Sequence, residues 1–271
     1  MRSIWLATVA LGAAAPALAQ EPRQPRWELG VAGFGVSQQA YPGADQQVGR
    51  VLVLPFFIYR GEVLRADRGS VGLRAVKTPD FEIDIGFAGA FGSSSNDIAA
   101  RRGMPDLGTL VEFGPRLKWN LGAAPGNGQW SFELPARGVF DLSDGFRSRG
   151  FTTEPELKYS RRSASGWAYS GSLGAVIGDR KIGQTFYEVA PPFATAERSA
   201  YDAKAGLVAW RLGALATRPL SADWRVFGFV RLDSVAGAAN RASPLVRQTT
   251  GASAGVGLSW TWLRSSEAAA D

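Results

Sequence analysis

Along most of this chain apolar and polar residues alternate with a period of two, the spacing that places successive side chains on opposite faces of a β-strand. The clearest stretch is Leu107 to Leu121. One face carries Leu107, Thr109, Val111, Phe113, Pro115, Leu117, Trp119 and Leu121; the other carries Gly108, Leu110, Glu112, Gly114, Arg116, Lys118 and Asn120. Such a strand separates an apolar medium from a polar one. At about 15 residues it far exceeds the usual strand of 5 or 6 and suits a tilted membrane-spanning strand whose ends protrude into water.

The same alternation predicts strands at Trp27–Val36, Val51–Tyr59, Glu62–Ala66, Ser70–Val76, Phe81–Phe91, Leu107–Leu121, Gln129–Asp141, Phe151–Tyr159, Gly166–Gly178, Tyr201–Gly213, Asp223–Ser234 and Gly251–Trp262. The fold class is therefore all-β, an antiparallel transmembrane β-barrel of about twelve strands, with ten as the other count. Starting in the periplasm, its outer connections are residues 37–50, 67–69, 92–106, 142–150, 179–199 and 235–250. Its inner ones are 60–61, 77–80, 122–128, 160–165 and 214–222. Short periplasmic turns and longer extracellular loops are the habit of outer-membrane barrels. The apolar residues of Tyr201–Gly213 change parity near Leu207, which implies a bulge or a slipped register. On this layout Trp27, Trp119, Trp130, Trp167, Trp210, Trp224, Trp260 and Trp262 all fall near the periplasmic rim. Indole rings favour the headgroup level, so they form an aromatic girdle.

The chain ends add compartment. Met1 to Gln20 has a basic start at Arg2, an apolar run from Ile4 to Leu11 and the small-x-small sequence Ala17-Leu18-Ala19. It reads as a secretory signal over residues 1–19, leaving a barrel over 20–262 and a C-terminal tail over 263–271. No later run of apolar residues is long enough for a helical span.

Composition mainly excludes. The chain has no cysteine and no histidine, so disulfides, thiol nucleophiles and every Ser-His-Asp arrangement are impossible, and no metal or other cofactor is expected. A pI near 9.9 suggests nucleic acid, but the Lys and Arg residues are scattered, so nucleic-acid binding is not expected. The glycine-rich GVAGFG at 31–36 precedes no amphipathic helix and reads as strand, not as a nucleotide loop. The faces opposite the apolar ones carry Glu82, Asp84, Glu112, Arg116, Lys118, Glu133, Arg137, Asp141, Glu154, Glu156, Lys158, Arg225, Arg231 and Asp233. A pair such as Glu154 and Glu156 could serve acid/base chemistry, because like charges on one face push one pKa up. Both signs occur in similar number, however, and a lumen packed with mutually paired charges is the favoured reading. No enzymatic activity is expected.

The N-terminal words of the sequence carry a resemblance. Gly33 to Val36, then Tyr41-Pro42-Gly43 with Asp45, then Leu54-Pro55-Phe56-Phe57 and Tyr59-Arg60-Gly61, are similar to the start of the MltA-interacting protein (MipA/OmpV) family of Gram-negative outer membranes. The resemblance implies an outer-membrane barrel that scaffolds peptidoglycan remodelling. It would join a lytic murein transglycosylase to a penicillin-binding protein, in contact with outer-membrane lipid and lipopolysaccharide. Relatives are linked to osmotic adaptation and adhesion, and the family brings no catalytic residues. The tail after Trp262 departs from the usual aromatic C-terminus of such barrels. A structural scaffold, a small channel for polar solutes and, more remotely, an outer-membrane hydrolase are the three competing functions.

Overall fold

A computed structural model describes residues 25–268 apart from 61–63, 68–69, 74–75 and 79. The signal-peptide reading lies outside the described residues. The strands are β1 (Trp27–Gln39), β2 (Gln47–Arg60), β3 (Leu64–Asp67), β4 (Ser70–Leu73), β5 (Val76–Lys77), β6 (Phe81–Ala90) and β7 (Leu110–Ala124). They continue as β8 (Gly128–Asp141), β9 (Arg147–Thr153), β10 (Glu156–Arg162), β11 (Ala168–Gly178), β12 (Gly206–Pro219), β13 (Trp224–Ser234) and β14 (Thr250–Arg264). One short helix, α1, spans Arg180–Tyr187.

All described pairings are antiparallel, and each long strand pairs with its neighbours in sequence. β1 pairs with β14, joining the two ends of the chain. At the other seam β4 pairs with β3 and runs beside β6, while β5 pairs with β6. The sheet thus returns on itself as a barrel. Strands β9 and β10 flank Glu154-Pro155 and together line the gap between β8 and β11. Counting β4 with β5 and β9 with β10 as single positions gives twelve.

The pleat sorts the side chains as the alternation requires. Val51 and Val256 project outward at 86% and 64% exposure, with Phe57, Leu173, Leu212, Val230 and Leu258 on the same outer wall. Small residues on the inner wall admit large neighbours. The phenyl ring of Phe227 covers Gly257, where a Cβ would meet Phe227 Cζ at 2.5 Å, and Phe229 covers Gly255. Glycine is required at both positions by this close approach.

The buried apolar core gathers at one end of the barrel: Ala40, Tyr41, Ala44, Ile98, Met104, Leu107, Ile182, Tyr187, Val189, Ala203 and Leu245, from connections and α1, pack with Val48, Leu110, Val139 and Val208 of the adjoining strand ends. These connections, 40–46, 91–109, 179–205 and 235–249, form a folded cap. The other end carries tight turns such as 125–127 and 220–223.

Several expected boundaries move. Strand β12 runs from Gly206 to Pro219 instead of 201–213, so the turn after it shrinks to residues 220–223. β7 ends at Ala124 and its turn at 125–127 is shorter than the 122–128 read from glycine and proline content. The loop over 179–199 contains α1, whose N-cap Asp179 accepts from the Ile182 amide through its side chain. Leu263 and Arg264 extend β14, and the residues beyond them turn onto the N-terminal lead. There Pro25 bridges Ala268, and Arg26 donates to the Glu267 carboxylate at 2.7 Å.

Candidate functional site: an ion-paired lumen beneath a packed cap

Inward-facing charges on β6, β7, β8 and β10 meet in a first layer. Arg116 makes a two-pronged contact with Asp84, at 2.9 Å through Nε and 2.8 Å through Nη2. Its Nη1 reaches Glu133 at 3.2 Å. Lys118 contacts Asp84 at 2.6 Å and Glu82 at 3.8 Å, and Lys158 donates to Glu133 at 3.0 Å. Three carboxylates thus face three cations.

A second layer lies nearer the cap. Arg137 stands 3.4 Å from Glu154 and 3.8 Å from Glu112, which also accepts from the Thr152 hydroxyl at 3.0 Å. Arg211 bridges Glu154 at 2.7 Å and Asp233 at 2.8 Å, and Arg231 approaches Asp233 at 3.2 Å. Three carboxylates again meet three cations. Asp84, Arg116, Glu133 and Asp233 are each less than a tenth exposed. Burial at that depth is tolerable because each of these four has an opposite charge within hydrogen-bonding distance.

Asp141 sits higher still, at the end of β8, where Arg149 binds it at 2.7 Å. Glu156 lies opposite Glu133 and Gly174 in the ladder. Arg225 lies toward the turn end, opposite Pro219 and Ser259, away from both layers. The Glu154–Glu156 pair is divided: Glu154 is held between Arg137 and Arg211, so no carboxylate dyad forms.

Arg211, the central cation of the second layer, is absent from the residues picked out by alternation. The pairing of β11 with β12 shifts between Val176–Ala209 and Ile177–Leu207, which leaves Val208 as an extra residue. This bulge is the parity change seen near Leu207, and continuing the alternation beyond it turns Arg211 inward. The same correction moves Trp210. It stands opposite Ala175 and Ser234 at the cap end, not at the turn end, because β12 continues for nine residues beyond it. Trp224 stacks on Trp260 at the turn end, 6.0 Å between centroids. Trp130 packs edge-on against Tyr159 and Trp167 stacks on Tyr169. Trp27 pairs with Tyr59 across β1 and β2. Trp119 pairs with Phe81 at the start of β6, and Trp262 lies near the end of β14.

The cap packs at the end of the barrel nearer the second layer. Tyr41 and Tyr187 meet edge to face at 6.3 Å, and their hydroxyls donate to the carbonyls of Leu245 at 2.8 Å and Pro42 at 3.0 Å. Gly43, at φ +91°, lets its carbonyl accept from the amides of Arg247 and Gln248. The guanidinium of Arg101 lies over the Tyr41 ring and donates to the carbonyls of Phe186 and Pro105. Arg198 ties two loops together through Phe193, Ala100 and Arg102. Burial pushes the Tyr41 phenol up to about 12 and the Tyr187 phenol higher still, and lowers the pKa of Arg101. Asp106 is held below the usual carboxylate range, chiefly by the Ser95 amide. The Tyr41-Pro42-Gly43 turn is therefore the hub of the cap, a role its sequence signals only as a turn.

Among the described residues no cluster of carboxylates is arranged to hold a metal ion. The charges the strands bring together are cross-strand ion pairs. A family model described as "MltA-interacting protein MipA" matches residues 29–262, and no curated protein matches the chain.

Proposed function

Because this chain belongs to the MltA-interacting protein MipA family, we propose that it spans the outer membrane and serves as a structural scaffold, not as an enzyme or an open pore. The observation that carries this reading is the pairing of the inward charges: two layers of cross-strand ion pairs lie beneath a cap with its own apolar core. Such a lumen offers solutes no continuous aqueous path and favours a function located at the ends of the barrel.

The outward apolar wall and the rings at the turn end suit a bilayer and its interface. In this orientation the tight turns and the paired chain ends face the periplasm, and the cap faces outward. The chain would be exported by its N-terminal signal, which is cleaved after residue 19. Its periplasmic rim would receive a lytic murein transglycosylase, the partner class named by the family, and a penicillin-binding synthase would join the same assembly. Lipid and lipopolysaccharide would surround the wall.

Photo-crosslinkers at Asn127, Ser165 and Ala222, one in each of three turns, test this reading in intact cells. Adducts containing a lytic transglycosylase are expected. Recovery of lipid alone from correctly folded protein would overturn the scaffold.

A further inference from the structure

The outer wall of the barrel is not uniform. Across β11, β12 and β13 it sinks into an apolar groove of about 740 Å3. The floor is Gly171, Ala214, Ala216 and Gly228, which share the outward parity of the exposed Leu173, Leu212 and Val230. Trp167 and Tyr169, stacked at 5.9 Å, form one bank, and Val226 and Val256 form the other. The chain's own packing does not require so low a floor. A Cβ at Gly35, on the far edge, would meet nothing within 4 Å, and one at Gly171 would meet only the Gly213 carbonyl, at 3.8 Å. From the level of Val226 to that of Val230 the groove runs four residues along the strands, about 13 Å.

The turn end of the groove is cationic. Arg218 lies on the same outward face, two residues beyond Ala216, with its guanidinium 5.8 Å from the centre of the Trp167 ring. Arg161 stands across from Tyr169 on β10. Both arginines are exposed, and among the described residues neither is paired with a carboxylate. No acid lies close by to take them. The β10–β11 connection, residues 163–167, carries no charge, and Asp223, in the turn after β12, is already held by Arg264.

This polarity selects the occupant. A protein segment laid along the floor would bring backbone N–H and C=O groups against residues that offer them no polar side chain, which is costly, whereas an acyl chain brings none. At the turn end, guanidinium groups bind phosphate through paired N–H donors, and basic sites at a membrane edge hold anionic headgroups. Indole and phenol rings belong at the same headgroup level. Building on the membrane-spanning reading above, we infer that β10–β13 hold one anionic phospholipid, its phosphate at Arg218 and Arg161 and an acyl chain along Gly171, Ala214, Ala216 and Gly228. The charge complementarity at the foot of the groove carries this assignment.

The test reconstitutes the full mature protein into vesicles containing phosphatidylglycerol, phosphatidylcholine and lipopolysaccharide, re-extracts it, and counts the lipid retained by native mass spectrometry. One phosphatidylglycerol per barrel is expected, favoured about tenfold over phosphatidylcholine, the size of one charge-assisted hydrogen bond. Arg218→Ala should abolish that preference and Arg161→Ala should reduce it. Arg147→Ala, at an exposed position toward the cap, should leave it intact. Gly171→Leu, which raises the floor, should weaken retention of both phospholipids. Heat-modifiable gel migration establishes that each variant is folded. Equal retention of the two phospholipids, an unchanged preference in Arg218→Ala, or stronger retention of lipopolysaccharide would overturn the site. Protein that does not enter vesicles would overturn the membrane-spanning reading with it, whereas protein that enters them without a preference would overturn this site alone.

Discussion

Arg116 shows how a single side chain can decide what kind of interior this is. Its guanidinium lies between Asp84 and Glu133, and all three residues are less than a tenth exposed. Arg116→Met removes the guanidinium that Asp84 and Glu133 share and leaves three carboxylates of the layer to two lysines, Lys118 and Lys158. In a buried network that costs about 3–5 kcal/mol, whereas in a water-filled lumen the charges would be solvated and the cost small. Equilibrium unfolding of wild type and variant in urea and detergent separates the two cases. A loss of several kcal/mol is expected, and a loss below about 1 kcal/mol would mean that the layer is hydrated. Arg231 and Arg211 flank Asp233 in a comparable arrangement in the second layer.

At the scale of elements, the cap is a small folded unit set on the sheet, and its stability depends on tyrosines. Tyr41 has its pKa raised from 10.0 to about 12 because burial disfavours the phenolate. The folded state therefore prefers the protonated form. Its contribution, about 3 kcal/mol for a change of this size, is present in full below the unfolded pKa of 10 and is lost as pH rises toward 12. Phenolate absorbance should show Tyr41 and Tyr187 ionising last, together with cap unfolding, and Tyr41→Phe should remove one late step. If all six tyrosines ionise together near pH 10, the cap is not packed. The alternation made the sheet legible because each strand has an apolar side and a polar side. Glu112, Arg116 and Glu133 could be placed on the inner wall from parity alone. Arg211 and Trp210 could not, because one extra residue at Val208 shifts the count. The cap escaped for a different reason. Tyr41, Ile98, Ile182 and Leu245 lie far apart in sequence with no shared period, and loop contacts of that kind leave no local pattern. α1 is eight residues long, too short for its periodicity to stand out among glycine and threonine.

For the molecule as a whole, the cap and the ionic layers bear on permeability. On the proposed reading the barrel has two closures: a cap held by apolar contacts and tyrosine hydroxyls, and ionic layers held by pairs between strands. Wild-type protein in a planar bilayer should therefore give no steady conductance. Opening one closure is not enough. Tyr41→Ala with Tyr187→Ala should loosen the cap, since loss of each large buried aromatic costs about 3–5 kcal/mol. Arg211 would still join Glu154 to Asp233 beneath it. Adding Arg211→Ala and Arg116→Ala to the cap variant removes the central cation of each layer as well, and only then should discrete current steps appear. With three carboxylates then left against two cations in each layer, those steps should be cation-selective. Steady conductance in the wild type would show that the charges line a path instead of filling it, and the scaffold reading would give way to a channel.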